Sequence, residues 1–278
     1  MGDGFDDGPE QSLTGGNVNA AVVRIGQTVR RIPGAHAANV HRLLTHLETA
    51  GFDGAPRFLG IDDKGREVLS FVPGQAGPPG DLYQTTDAMI AAAQLLRRYH
   101  DATVGFSGDA AGWARSDPDP ANRQVICHHD AAPYNMIFQD WMPVALIDFD
   151  LAGPGPRLRD LAYLAIWCVP LLFGEDRVGD AGRADLAAGC PRLRLIAATY
   201  GTDDLPGLLA EAQAMLDHLG NAAAMTAMIG PQATARLIDA GHLVHWQAQS
   251  QAFRAVSPDL HRAILSQTPG LTQGHPAA

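Results

Sequence analysis

The chain has 278 residues, 46% of them hydrophobic, and a formal net charge of −10 at pH 7. This length allows one large domain or two lobes, and the composition is that of a globular protein rather than a disordered one. The acidic balance disfavours nucleic acid and anionic membranes as partners. No apolar run approaches the roughly 18 residues of a membrane span, and the acidic N-terminus does not resemble a secretion signal, so we expect a cytoplasmic protein.

The N-terminal part of the chain is predicted to form a small β-rich lobe over residues 12–73, after a disordered tail at 1–11. Its β-rich runs pair into two predicted hairpins, 21–25 with 28–32 and 58–61 with 67–72. Between the hairpins, the apolar side chains Val40, Leu43, Leu44 and Leu47 have the spacing of an amphipathic helix.

Helical periodicity dominates the second part of the chain, which we predict as a larger lobe over residues 74–266 followed by a loose tail at 267–278. Short strands are expected near 125–127 and 136–149. The predicted helices cover 87–102, 157–172, 184–199, 205–218, 221–229 and 231–255. These elements together indicate an α+β fold with a β-rich lobe first and a helical lobe second.

One segment carries a pattern with chemical meaning. His128, Asp130 and Asn135 fit H-x-D-x-x-x-x-N, and Asp148 follows within Ile147-Asp148-Phe149-Asp150. The residues between Asn135 and Asp148 predict an antiparallel hairpin, whose two ends meet in space. Singly, such residues commonly cap turns or pair with surface arginines, but the combination favours a shared site.

Phosphoryl transfer suits this set of side chains. The reaction needs positioning and the neutralisation of phosphate charge, with a carboxylate to accept the proton of the attacking hydroxyl. Mg²⁺ prefers a few hard oxygen ligands. By the kinase pattern, Asp130 is the predicted base and Asn135 and Asp148 the magnesium ligands, while His128 and Asp150 are candidates for supporting roles.

On these motifs, and on the run from Gly153 to Ala162 that follows them, the chain resembles the aminoglycoside phosphotransferases and choline kinases. The resemblance implies a bilobal protein-kinase-like fold that binds ATP or GTP between its lobes, with Mg²⁺ as cofactor and a hydroxylated small molecule as acceptor. It also implies a structural role for Asp160.

The nucleotide contacts follow from the same resemblance. The turn Gly15, Gly16 and Asn17 is a candidate phosphate-covering loop, although an ordinary hairpin turn explains it equally well. Ser70, Phe71 and Val72 resemble the linker strand whose backbone meets the purine.

Arg30 stands where the family has a lysine on its third strand. Strand alternation points Arg31 to the opposite face, so we assign the phosphate contact to Arg30. The glutamate that normally pairs with this residue from the following helix is absent, because the helix has Asn39-Val40-His41 instead.

The acceptor side is less specific. Asp176, His242 and Trp246 are candidates for acceptor binding, with solvated surface or core packing as the alternative for each. The sequence thus predicts a kinase acting on a hydroxyl of an antibiotic-like natural product. A metabolic kinase acting on an endogenous alcohol, sugar or amino alcohol would have the same site, and a non-catalytic nucleotide-binding pseudokinase is a third hypothesis.

Overall fold

The structure is a computed structural model that describes residues 8–13, 22–78, 85–106, 111–174 and 177–266. The predicted phosphate-covering turn of Gly15, Gly16 and Asn17 lies outside these ranges, as do Asp176 and the C-terminal tail.

The N-terminal part is a five-stranded antiparallel sheet with one helix. Its elements are β1 (Gln11–Ser12), β2 (Val23–Ile25), β3 (Thr28–Arg31), α1 (Ala37–Thr49), β4 (Phe58–Ile61) and β5 (Glu67–Ser70), with the strand order β1-β2-β3-β5-β4. Gly26 has a φ of 56° in the tight turn from β2 to β3, a conformation that glycine adopts without steric cost. The buried face of α1 carries the four apolar residues that the spacing singled out.

The predicted tail is wrong for residues 8–11. Gln11 and Ser12 pair with β2, and the Glu10 carboxylate forms ion pairs with Lys64 and Arg66. Backbone pairing and opposite charges therefore hold this segment against the sheet, although its composition suggested no structure.

The middle of the chain consists of short strands around a long helix. It contains β6 (Gln75–Ala76), α2 (Thr86–Thr103), β7 (Val125–Cys127), β8 (Met136–Gln139), β9 (Met142–Leu146) and β10 (Gly153–Gly155). β6, β8 and β9 form one sheet in that order, and β7 pairs with β10. The predicted hairpin after Asn135 is confirmed as β8 and β9. Its turn residues Asp140 and Trp141 both have positive φ, as tight hairpins with the natural strand twist require.

The C-terminal part is helical. Its helices are α3 (Arg157–Cys168), α4 (Arg177–Ala187), α5 (Pro191–Tyr200), α6 (Leu205–Leu219), α7 (Ala222–Ile229), α8 (Pro231–Asp239) and α9 (His242–Leu265). Two of the predicted helices are each two helices in the structure. The helix expected at 184–199 is divided at Cys190 and the one expected at 231–255 at Gly241. Both residues have a left-handed backbone conformation, which ends an α-helix.

The core lies around α2, whose residues Met89, Leu96 and Tyr99 are fully buried. This helix packs against β9 and α5, while α3 packs against α6 and α6 against α9. The predicted α+β architecture is confirmed. Within the described residues, none of the helices has the length and apolar character needed to cross a bilayer.

Candidate active site

Asp130 lies on the loop from β7 to β8, where two neighbours hold its carboxylate. The Tyr134 hydroxyl donates to Asp130 Oδ1 at 2.6 Å, and Asn135 Nδ2 donates to Oδ2 at 2.8 Å. Burial raises the pKa of Asp130, and these two hydrogen bonds oppose the rise without cancelling it. A carboxylate with a raised pKa is a better proton acceptor near neutral pH than an ordinary aspartate.

The β8–β9 hairpin brings Asn135 and Asp148 together. The Ile147 N–H donates to the Asn135 carbonyl at 2.9 Å, so Asp148 follows directly after the residue opposite Asn135. Asn135 Nδ2 donates to the Asp130 backbone carbonyl and side chain, so the amide's donor end faces Asp130 and its Oδ1 is the end suited to a cation. The structure therefore brings Asn135 into contact with Asp130 and places Asp148 one residue beyond the backbone pair of Asn135 and Ile147.

The oxygens at this end of the hairpin fit a divalent cation. Burial raises the pKa of Asp148, the neighbouring Asp150 carboxylate raises it further, and the Arg31 guanidinium opposes both. Arg31 Nη1 lies 3.1 Å from Asp148 Oδ1 and 3.1 Å from Asp150 Oδ2. Two carboxylates and one amide oxygen are hard ligands of the kind that Mg²⁺ selects.

Arg31, rather than Arg30, reaches this site, so the assignment made from the sequence is corrected. Arg30 is 3% exposed, and its Nη1 lies 3.4 Å from Asp62 Oδ2 on the other face of the sheet. Strand alternation correctly placed the two arginines on opposite faces. It could not decide which face borders the site, because that depends on how the sheet packs on the rest of the protein.

Glu67 is the functional candidate that the sequence reasoning missed. This residue is 1% exposed and lies opposite Arg31 in the β3–β5 pairing. Its Oε1 is 2.5 Å from Arg31 Nε, and its Oε2 is 2.6 Å from His41 Nε2 on α1. The carboxylate that pairs with the arginine therefore comes from strand β5 and not from helix α1, and His41 connects Glu67 to that helix. Pairing the runs 28–32 and 67–72 as neighbouring strands would have placed Glu67 opposite Arg31, but no local pattern in the sequence makes these two runs neighbours.

His41 is itself held in place. Its ring stacks on Phe58 of β4, with centroids 3.8 Å apart and planes 9° from parallel. Glu67 thus accepts from one side chain of the sheet and one of α1, and it orients Arg31 toward Asp148.

Asp160 shapes the loop that carries Asp130. Its Oδ2 accepts from the His128 backbone N–H at 2.6 Å and from His100 Nε2 at 3.0 Å, and its Oδ1 accepts from the His129 N–H at 2.9 Å. Burial alone would raise the pKa of Asp160, but the hydrogen bond and charge of His100 outweigh it and hold that pKa well below its usual range. The structural role expected for Asp160 is confirmed.

His128 supports the same loop from the other side. Its Nε2 lies 3.0 Å from the carbonyl oxygen of Ile147, which is the residue before Asp148. The side chain therefore connects the two halves of the site from a fully buried position and does not face a substrate.

Ser70, Phe71 and Val72 were predicted to meet the nucleotide base through their backbone. The Ser70 and Phe71 N–H groups already donate to the carbonyls of Arg57 and Gln27, which takes these two donors away from a nucleotide base. Val72 continues the same segment and is half-buried.

The acceptor-side candidates lie on α9. His242 is its exposed first residue, and Trp246 lies one turn later, half-buried, with its ring centroid 6.0 Å from that of Trp167.

Comparison with known proteins places this chain in a family. Residues 106–196 match the profile of the phosphotransferase enzyme family, a range that includes Asp130, Asn135, Asp148 and Asp160. The chain is also 35% identical over 198 residues to the trifolitoxin immunity protein of Rhizobium leguminosarum bv. trifolii, an alignment that covers 69% of this chain and 74% of the relative.

Solved structures show the same fold. A choline/ethanolamine kinase family protein from Mesorhizobium loti superposes with a TM-score of 0.55 at 17% identity, covering 94% of this chain and 92% of that one. An aminoglycoside 2'-phosphotransferase in its GDP complex gives a TM-score of 0.59 at 16% identity, covering 90% and 93%. The α+β fold described above is therefore protein-kinase-like.

Proposed function

Because this chain belongs to the phosphotransferase enzyme family, we propose that it transfers the γ-phosphoryl group of ATP or GTP to a hydroxyl of an antibiotic-like natural product. That it is a phosphotransferase follows from the family. The donor and acceptor are our proposal, and the immunity protein among its relatives supports a protective role. Such a reaction uses the nucleotide pool of the cytoplasm, where we place the protein. We place the boundary between the N-terminal β-rich lobe and the C-terminal helical lobe at residue 73.

In the proposed mechanism, Asp130 accepts the proton of the acceptor hydroxyl as its oxygen attacks the γ-phosphorus. The new oxygen–phosphorus bond forms while the bond to the β–γ bridging oxygen breaks, and a nucleoside diphosphate leaves. Asn135 Oδ1 and the Asp148 carboxylate would hold Mg²⁺, which neutralises phosphate charge when bound. Asp150 supports this site. The Asn135 amide and the Tyr134 hydroxyl keep the Asp130 carboxylate in place.

Arg31 is our candidate for the phosphate contact. An arginine presents five N–H donors in a planar fork that matches phosphate oxygens. We propose that, when a nucleotide binds, Arg31 keeps its bond to Glu67 and exchanges its contacts to Asp148 and Asp150 for phosphate oxygens. Val72 and the carbonyl side of the linker would meet the base, and the turn of Gly15, Gly16 and Asn17 would cover the phosphates.

The observation that carries the proposal is the hydrogen-bonded group of Asp130 and Asn135 at the mouth of the hairpin that ends in Asp148. The test is to incubate purified protein with Mg²⁺, ATP or GTP, and a panel of hydroxylated antibiotics, amino alcohols and sugars. Mass spectrometry then identifies any acceptor that gains one phosphate. Transfer to antibiotics supports the protective function, and transfer confined to amino alcohols or sugars would replace it with the metabolic one. Nucleotide binding without transfer to any acceptor would favour the pseudokinase.

Glu67→Gln is expected to lower kcat/KM for the nucleotide by about 10²-fold, the cost of a misplacement of about 1 Å in a reacting complex. The amide keeps the size of the side chain but cannot accept at both ends from Arg31 and His41, so Arg31 loses its orientation. Steady-state kinetics at varied nucleotide concentration would measure this loss.

Two further variants make that result specific. Glu67→Asp keeps the charge and should recover part of the activity. Glu48→Gln removes a carboxylate near the end of α1 whose side chain is 44% exposed and pairs with Arg57, so it should leave the kinetics unchanged. Unchanged kinetics in Glu67→Gln itself would exclude this positioning role.

A further inference from the structure

A row of aromatic side chains leads away from Asp130. We define the aromatic row as Tyr134, Tyr163, Trp167 and Trp246. The ring centroids of Tyr134 and Trp167 are 5.6 Å apart at an interplanar angle of 87°, and those of Trp167 and Trp246 are 6.0 Å apart at 80°. Three separate parts of the chain build it: the loop of Asp130, helix α3 and helix α9.

Three members of the aromatic row, Tyr134, Trp167 and Trp246, lie at the surface of the core, and the fourth, Tyr163, is 4% exposed. Tyr163 and Trp167 are four residues apart on α3, so they share one face of that helix. Tyr134 is 44% exposed, and Trp167 and Trp246 are each half-buried. Large apolar rings left partly open next to a reactive group are typical of binding sites.

Hydrogen bonds join one end of the aromatic row to Asp130. The Tyr134 hydroxyl lies 2.6 Å from Asp130 Oδ1 and 2.7 Å from the Tyr163 hydroxyl. An ionised carboxylate only accepts, so Tyr134 donates its proton to Asp130, and Tyr163 must donate to Tyr134. This chain orients the Tyr134 ring, and it places the start of the aromatic row within reach of any group that contacts Asp130.

The chemistry of the aromatic row favours an uncharged ligand. The row itself carries no charge, and the carboxylate at its end is the one that we assign to proton transfer. An aromatic cage for an ammonium group needs several ring faces around one point. Here the ring contacts run from Tyr134 to Trp167 and from Trp167 to Trp246, with successive planes nearly perpendicular, so the rings form a wall instead of surrounding one point. A flat ring packs well against such a wall, either offset-stacked or edge-to-face.

We propose that the aromatic row is the acceptor-binding wall and that the acceptor carries a planar, uncharged aromatic or heteroaromatic ring close to the hydroxyl that is phosphorylated. The assignment of that hydroxyl rests on the proposed function. Binding of the ring to the wall does not require turnover and is measured separately.

The test uses the full chain labelled with 5-fluorotryptophan and observed by fluorine NMR. The protein has four tryptophans, so each signal is assigned from a single Trp→Phe variant. Trp113 is 7% exposed and Trp141 is 62% exposed on the β8–β9 turn, and both serve as internal controls. Indole-3-ethanol is the ring-bearing probe, and choline and kanamycin are the cationic comparators.

Indole-3-ethanol is expected to shift the signals of Trp167 and Trp246 in a saturable manner and to leave those of Trp113 and Trp141 in place. Trp167→Leu should raise the Kd for indole-3-ethanol by about two- to tenfold, the contribution of one aromatic pair, whereas Trp141→Leu should leave that Kd unchanged. A shift of Trp141 equal to that of Trp167, or shifts of Trp167 and Trp246 with choline or kanamycin only, would overturn the proposal.

The Asp130→Asn variant separates this inference from the proposed function. It should keep the probe-induced shifts while losing any transfer of phosphate to indole-3-ethanol. Shifts in the unmodified protein without phosphate transfer to any acceptor would contradict the proposed function alone, and transfer without shifts would contradict the wall alone.

Discussion

Asp130→Asn is expected to lower kcat for phosphoryl transfer by about 10²- to 10⁴-fold, the usual contribution of a general base. The substitution keeps the shape of the side chain, and its amide oxygen can still accept from Tyr134 or Asn135. It removes the ability to take a proton. Nucleotide affinity should change little, because other residues, Asn135, Asp148 and Arg31, are the ones proposed to bind the metal and the phosphates. Rapid-quench measurement of phosphate transfer, with a separate nucleotide titration, would show this division.

The matched control is Asp140→Asn. Asp140 is an exposed carboxylate in the β8–β9 turn with a φ of 48°, a conformation that asparagine adopts readily. This variant should retain full activity. Equal kcat values for Asp130→Asn and the unmodified protein, at saturating acceptor, would remove Asp130 from the role of base.

Asp160→Asn is expected to destabilise the protein by about 3–5 kcal/mol at pH 7, the cost of removing one partner from a buried, hydrogen-bonded ionic group. Both carboxylate oxygens accept hydrogen bonds, from two backbone N–H groups and from His100. An amide would turn N–H toward a donor on one side and leave a buried backbone group unpaired. Urea unfolding followed by circular dichroism would measure the loss.

The same variant predicts a pH dependence. The pKa of Asp160 is lower in the folded state than in the unfolded state, so its ionised form stabilises the fold above the unfolded pKa of about 3.9. That stabilisation is lost as the pH falls toward the folded pKa. The stability gap between the unmodified protein and Asp160→Asn should therefore narrow as the pH falls below about 4.

An exposed carboxylate provides the comparison. Asp101 pairs with Arg97 and Arg157 and is 47% exposed at its side chain. Asp101→Asn should cost no more than about 1 kcal/mol at pH 7, because solvent screens such pairs. A loss in Asp160→Asn as small as this would mean that the buried network does not stabilise the loop.

The β3 arginines show where reading the sequence succeeds and where it stops. Alternation along a strand follows from backbone geometry, so the opposite orientations of Arg30 and Arg31 were predictable. The choice between them was not, and the prediction was wrong. Arg31 faces the site because Glu67 lies across the ladder from it, and because the sheet turns that face toward the hairpin of Asp148.

The C-terminal helices show a second limit. Their apolar periodicity located helical segments, but it did not reveal the left-handed residues Cys190 and Gly241 that divide two of them. The apolar spacing continues across a short break between two helices, but the helix axis changes direction at the break. The position of α9, and with it the contact between Trp246 and Trp167, depends on such breaks.

The sequence alone determined that Asn135 and Asp148 come close together, because a short hairpin brings its two ends together wherever it lies in the protein. It also determined the succession of a β-rich part and a helical part, since both follow from local periodicity. Only the tertiary structure decided the Glu67–Arg31–His41 contacts and the aromatic row. Their members come from strands and helices far apart in the chain, and no local rule states which of these surfaces will meet.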